Sequence, residues 1–219
     1  MDDITPEEDI EHNTIFASSI CRTHHPEYLD SVREIFNKHT SIAKKERPIY
    51  DLYPVCMTAN LTEDLSKEFT TYVVETAWTI LERQGYNMPM FQTQLMDMWG
   101  QEHHRGSGME QHMHNSGAQI SGIYIIDAPE ECRMLFHDPR EAKNYANLPE
   151  INASNLTSAS SVASFDLNPG NFIFHNSWLY HSFPKNSSYD PLKFIHFNIA
   201  VKWVGNTSTC IQPEAPTII

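Results

Sequence analysis

The chain predicts a mainly β domain, a barrel or double sheet, with a helical support layer on its N-terminal side. Three observations carry this. Two amphipathic helical stretches occupy the first part of the 219 residues. From Pro89 onward, short runs of β-forming residues alternate with turn residues. No repeat and no linker breaks the sequence, so residues 13–205 read as one domain between a loose segment 1–12 and a polar tail 206–219.

The elements follow in order. Residues 13–21 (NTIFASSIC) read as a short strand. Pro26 suits the first position of a helix, and Leu29, Val32, Ile35 and Phe36 follow at helical spacing. Residues 43–54 read as a connector. Asn60 and Glu63 form a capping box for a second helix. Its apolar stripe is Leu65, Phe69, Tyr72, Val73, Ala77, Ile80 and Leu81, and Gly85 supplies the stop. Such a stripe is core packing, so the helices support the site and do not form it.

Strands are expected at 90–99, 119–126, 132–136, 164–167, 171–174, 178–182 and 193–204. A polar loop spans 100–108, and the Ser- and Asn-rich stretch within 141–160 reads as a loop.

Composition bounds the function. With 15 basic against 28 acidic residues the formal net charge is −13. That argues against a nonspecific nucleic-acid binder, which needs a basic face. Cys21, Cys56, Cys132 and Cys210 are far apart, which suits isolated thiols in a reducing compartment better than a disulfide scaffold or zinc ribbon. No apolar run approaches the roughly 20 residues of a membrane span, and the acidic N-terminus is no signal peptide. A soluble, cytoplasmic protein is the expectation; a homodimer stays open.

The chemistry centres on residues 109–126, MEQHMHNSGAQISGIYII. His112 and His114 stand two apart at the start of an apolar strand. Residues two apart in a strand point the same way, so two imidazoles can aim at one metal. The alternative is a pair of polar residues at a strand end. Gly106 and Gly108 in the preceding loop permit close approach. Far downstream, His181 ends the run SWLYH. A close pair plus one distant histidine is the sequence form of a facial metal site with one open face. Glu110 shares a face with His112 and is a candidate carboxylate ligand.

Lys193 opens the last strand. With Ile195, Phe197, Ile199 and Val201 it shares one face by the period of two. An ammonium directed into a barrel needs a carboxylate or phosphate partner. At a strand end it can also reach back to water. Both readings stand.

Together these motifs resemble the non-haem iron(II), 2-oxoglutarate-dependent oxygenases, in particular a branch of short members. The residues that carry the resemblance are Trp99; His112-Met113-His114-Asn115-Ser116; Ser121-Gly122-Ile123-Tyr124; Asp138-Pro139-Arg140; Pro169-Gly170; Ser177-Trp178-Leu179-Tyr180-His181; and Phe197-Asn198. They cover about residues 90–202.

The resemblance implies a double-stranded β-helix (jelly roll). It implies Fe(II) held by His112, His114 and His181. It also implies 2-oxoglutarate as co-substrate, with its distal carboxylate on Lys193 and Tyr124 beside it. The implied activity is hydroxylation of a peptide side chain or polar metabolite. Two departures stand out. Position 114 is a carboxylate in the wider superfamily, and the clamp is usually an arginine followed two residues on by a hydroxyl residue. Here they are His114, and Lys193 followed by Ile195. Weaker candidates for substrate contact are His103, His104, Arg140 and His175. Two further readings stay open. One is a cupin-like three-histidine enzyme without 2-oxoglutarate. The other is a non-catalytic binding or structural module.

Overall fold

The computed structural model describes residues 11, 13–49, 53–114, 116–146 and 148–205. The tail 206–219 and nearly all of segment 1–12 lie outside the described residues.

The first strand, β1 (Ile20–His24), starts later than its sequence suggests. A 3-10 turn, Pro26–Tyr28, leads into α1 (Leu29–Glu46). Pro26 suits that turn because its fixed φ matches a helix start. Acidic Asp30 opens α1 and basic Lys44 and Lys45 close it, as the helix dipole favours. The connector is shorter than predicted because α1 runs to Glu46, and β2 (Val55–Asn60) follows it. Helix α2 spans Lys67–Arg83. Ser66 caps it, its Oγ accepting the Phe69 N–H at 3.2 Å. The capping box at Asn60 does not form. Asn60 Oδ1 accepts the Thr62 N–H at 3.0 Å instead, closing a local turn before the helix can begin. Gly85, at φ +93°, ends the helix as expected.

The remaining strands are β3 (Phe91–His103), β4 (Met109–His112), β5 (Ala118–Asp127), β6 (Arg133–His137), β7 (Val162–Asp166), β8 (Asn171–Asn176), β9 (His181–Phe183) and β10 (Leu192–Trp203). Strand β3 runs through residues 100–103, which had read as loop.

Two antiparallel sheets result. The larger has the order β1-β8-β5-β10-β3-β2 and the smaller β4-β9-β6-β7. Strands of one sheet are therefore drawn from alternate parts of the chain, as in a jelly roll.

The larger sheet is buried on both faces. Its outer face packs Ile120, Tyr124, Phe172, Phe174, Ile195, Phe197 and Ile199 against Phe36 of α1 and Phe69, Val73 and Ala77 of α2. Its inner face packs Ile123, Ile125, Ile173, Leu192 and Phe194 against Met134, Phe136, Leu179 and Phe183. This settles the orientation of β10. Lys193 shares the face of Ile195 and Phe197, which meets the helices. The inner face of β10 carries Phe194, His196 and Asn198.

Candidate metal centre

His112 is the last residue of β4 and His181 the first of β9, and the two are paired in register. Opposed residues in an antiparallel pair hold their side chains together; here the ring centroids are 4.3 Å apart. His114 lies two residues beyond His112. Its backbone N–H donates to the Ser177 carbonyl at 2.8 Å, which anchors it beside the segment entering β9. One ligand atom from each of His112, His114 and His181 lies within 4.8 Å of the others. Glu110 is exposed and stands outside this group; it contributes its carbonyl to His112.

Hydrogen bonds prepare two of these rings for ligation. His112 Nδ1 lies 2.8 Å from the Glu110 carbonyl and His181 Nδ1 lies 3.0 Å from the Leu179 carbonyl. A carbonyl only accepts, so each Nδ1 carries the hydrogen and each Nε2 presents a lone pair. This outer support is usual for metal-bound histidine. Burial, helped by neighbouring His112, lowers His114 to a pKa of about 4. Burial likewise holds His181 far below the ordinary imidazole value. Both rings are neutral at neutral pH, the form a metal binds.

Two more histidines adjoin the group. His175, fully buried on β8, has its ring centroid 4.5 Å from that of His181. Its Nδ1–H donates to the Asn176 carbonyl at 2.9 Å, and burial lowers its pKa to about 3. His196, on the inner face of β10, places Nε2 3.2 Å from His114 Nε2. Trp99 of β3 lies against it, the rings tilted by 34° with centroids 4.3 Å apart. His196 is absent from the candidates named from sequence. The alternation Phe194, His196, Asn198 marks it, but only once the inner face of β10 is known.

The other candidates lie elsewhere. Lys193 donates to Asp127 at 3.1 Å at the rim of the helix-facing side, so the strand-end reading is the one the fold adopts. Tyr124 is on the same outer face, its hydroxyl donating to the His25 carbonyl at 2.9 Å. Neither is brought to the histidines. The reason is parity: both positions fall on the face that packs the helices. His103 is no loop residue; it ends β3, only 1% exposed, beside Phe183 and Phe194 with Gln101 at 2.9 Å. His104 contacts the buried Glu102 carboxylate, which also receives Lys44. Arg140 is held by Asp138 through two hydrogen bonds of 2.9 and 2.8 Å.

The donor set fits a divalent first-row metal: three close imidazoles, two with their lone pairs fixed. The fit for 2-oxoglutarate is narrower. The expected lysine clamp faces away, and its inner-face neighbours on β10 are Leu192 and Phe194.

Comparison with known proteins agrees with the fold. Residues 97–198 match the family described as "Putative 2OG-Fe(II) oxygenase". No curated protein matches the chain. Among solved structures, the epimerase SnoN in complex with Fe3+, alpha ketoglutarate and nogalamycin RO is 12% identical at a TM-score of 0.57, over 90% of this chain and 89% of that one. HygX from Streptomyces hygroscopicus with nickel, 2-oxoglutarate and hygromycin B is 11% identical at 0.54, over 84% and 83%. A Pseudomonas putida prolyl-4-hydroxylase is 7% identical at 0.53, over 84% and 93%. These likenesses establish the double-stranded β-helix fold. The segment carrying the histidines is thus the part of the chain that resembles that family.

Proposed function

We propose that His112, His114 and His181 hold iron(II), and that the centre hydroxylates a peptide side chain or a polar metabolite. The convergence of three imidazoles within 4.8 Å carries this reading. Bound iron and 2-oxoglutarate supply the oxidising chemistry: dioxygen is consumed, 2-oxoglutarate leaves as succinate and carbon dioxide, and one oxygen atom enters the substrate.

The chain's own residues do the rest. The Glu110 and Leu179 carbonyls orient two rings before any metal arrives. Ile123, Ile173, Phe136 and Leu179 exclude water from the inner side. Met113 and Trp178, 42% and 44% exposed, flank the triad in sequence and are available to pack on a substrate. The ligands of the similar structures, hygromycin B among them, support a polar substrate by analogy alone.

The test is anaerobic loading with iron(II), then dioxygen and 2-oxoglutarate. The expected result is succinate formation that His181→Ala abolishes. Unchanged succinate formation in that variant overturns the assignment.

One observation favours a second reading. An all-imidazole triad with Lys193 turned away also suits a three-histidine metal enzyme that uses no 2-oxoglutarate. Metal-dependent dioxygen uptake without 2-oxoglutarate selects that reading.

A further inference from the structure

We propose that His175 is a specificity-determining residue of the centre: its Nε2 accepts a hydrogen bond from an O–H or N–H of the molecule held at the metal. The substrate class that follows carries a hydroxyl or N–H donor beside the position to be oxidised. This deepens the proposed function and rests on its reading of His112, His114 and His181 as ligands.

His175 lies on β8 opposite Ser121 of β5 and is 2% exposed. It shares the inner face with Ile173, two residues before it. Its ring centroid is 4.5 Å from that of His181, 5.2 Å from Phe136 and 6.4 Å from His114. It is not one of the three residues whose ligand atoms converge. It therefore meets the metal through a bound molecule and not directly.

The surroundings settle where the ring carries its hydrogen. Nδ1 lies 2.9 Å from the Asn176 carbonyl. A carbonyl only accepts, so Nδ1 is the donor. Burial disfavours a second proton. Nε2, the ring nitrogen farther from the backbone, is then a lone pair in need of a donor. The Asn176 side chain exchanges two hydrogen bonds with Gln84 of α2, at 2.9 and 3.0 Å. The strand end that fixes the tautomer is itself anchored.

No neighbouring group of the chain supplies that donor. Ser121 gives its hydroxyl hydrogen to Asn198 Oδ1 at 2.6 Å. His181 gives its own to the Leu179 carbonyl. The Phe136 ring has none to give. His114 directs Nε2 at His181 and His196, at 3.3 and 3.2 Å. His196 Nδ1 also lacks a partner, but it is sealed among protein atoms; His175 Nε2 is not sealed in this way. It is an open acceptor beside the centre.

Such an acceptor discriminates. A bound molecule with a donor at this point gains a hydrogen bond. One with an apolar group there leaves the lone pair unsatisfied. Ile123, Ile173 and Phe136 make the surroundings apolar, which strengthens the bond and sharpens the penalty.

The test uses the nickel(II)-loaded protein and two probes, glycolate and methoxyacetate. Both offer a metal a carboxylate and an adjacent oxygen, but only glycolate carries an O–H. Calorimetric titration gives their dissociation constants for wild type and for His175→Phe, which keeps a ring against Phe136. The preference for glycolate in wild type should exceed that in the variant by about two- to ten-fold, the worth of one hydrogen bond. Where circular dichroism shows that this variant misfolds, His175→Leu takes its place. Nickel bound with equal preference in both proteins, or with neither probe bound, overturns the proposal alone. A wild-type protein that binds no nickel overturns the triad reading, and the proposal with it.

Discussion

Lys193 and His196, three residues apart on β10, face opposite sides of the same sheet. Lys193 meets Asp127 at the helix-facing rim, while His196 meets His114 inside the jelly roll. The odd spacing sets this: alternate residues of a strand share a face, so a lysine and a histidine three apart cannot serve one pocket.

Lys193→Met follows from that relationship. The ion pair it removes has side chains 23% and 37% exposed, and partly exposed pairs contribute about 0–1 kcal/mol. We expect a small loss of stability and a 2-oxoglutarate affinity within about two-fold of wild type, since a two-fold change is only about 0.4 kcal/mol. Calorimetric titration of the metal-loaded protein checks this. A ten-fold weaker affinity would mean that Lys193 reaches the co-substrate after all.

The elements were readable where local chemistry is self-contained. The apolar stripe of α2 and the strand from Gln119 to Ile126 follow directly from periodicity. The face that each strand turns inward was not readable. On β10 both faces are apolar enough to be core, because the larger sheet is covered on both sides. The face of Ile195, Phe197 and Ile199 looked like the barrel lining but meets the helices. Lys193 and Tyr124 went with it, and His196 was passed over. The close pair His112 and His114 could be found because spacing of two fixes a common direction without knowing which way is in. The adjacency of His181 needed the pairing of β4 with β9, which no local signal encodes.

His114→Asp tests the missing carboxylate. The imidazole triad brings no negative charge to offset a divalent ion. Imidazole suits copper and nickel, and carboxylate suits harder ions. We expect the ratio of manganese(II) or iron(II) affinity to nickel(II) affinity to rise by at least about ten-fold, or about 1.4 kcal/mol. Competition against a chelator measures it. An unchanged ratio would show that position 114 does not touch the metal.

Acid should destabilise the metal-free protein. Burial lowers His103 to a pKa of about 4, with His104 adding to the effect. Unfolded, the ring titrates near its ordinary value of about 6.5. Between these values the unfolded chain binds more protons, so stability rises with pH there. The contribution is full above about 6.5 and is lost as pH falls towards about 4. Each pH unit well inside the window costs about 1.4 kcal/mol for such a histidine. Thermal melts from pH 7 to 4.5 should show a falling melting temperature, with a shallower slope in His103→Gln. Equal slopes would mean that His103 titrates normally.

Gly122 on β5 lets the Phe197 ring of β10 and the Ile173 carbonyl of β8 approach closely. A Cβ there would sit 2.6 Å from Cζ of Phe197 and closer still to the Ile173 carbonyl oxygen. Phe197 is fully buried between Phe172 and Phe174, so its ring has little room to move. The Ile173 carbonyl belongs to the ladder between β5 and β8. Gly122→Ala must therefore spread that ladder or displace the ring. Overpacking a well-filled core costs typically about 1–3 kcal/mol, and the backbone clash puts this case at the upper end. In a chain of this size each kcal/mol lowers the melting temperature by about 2–4 °C. The expected drop is roughly 6–12 °C on that scale. A melting temperature within about 2 °C of wild type, less than the effect of 1 kcal/mol, would show that the close approach at Gly122 is not part of the fold.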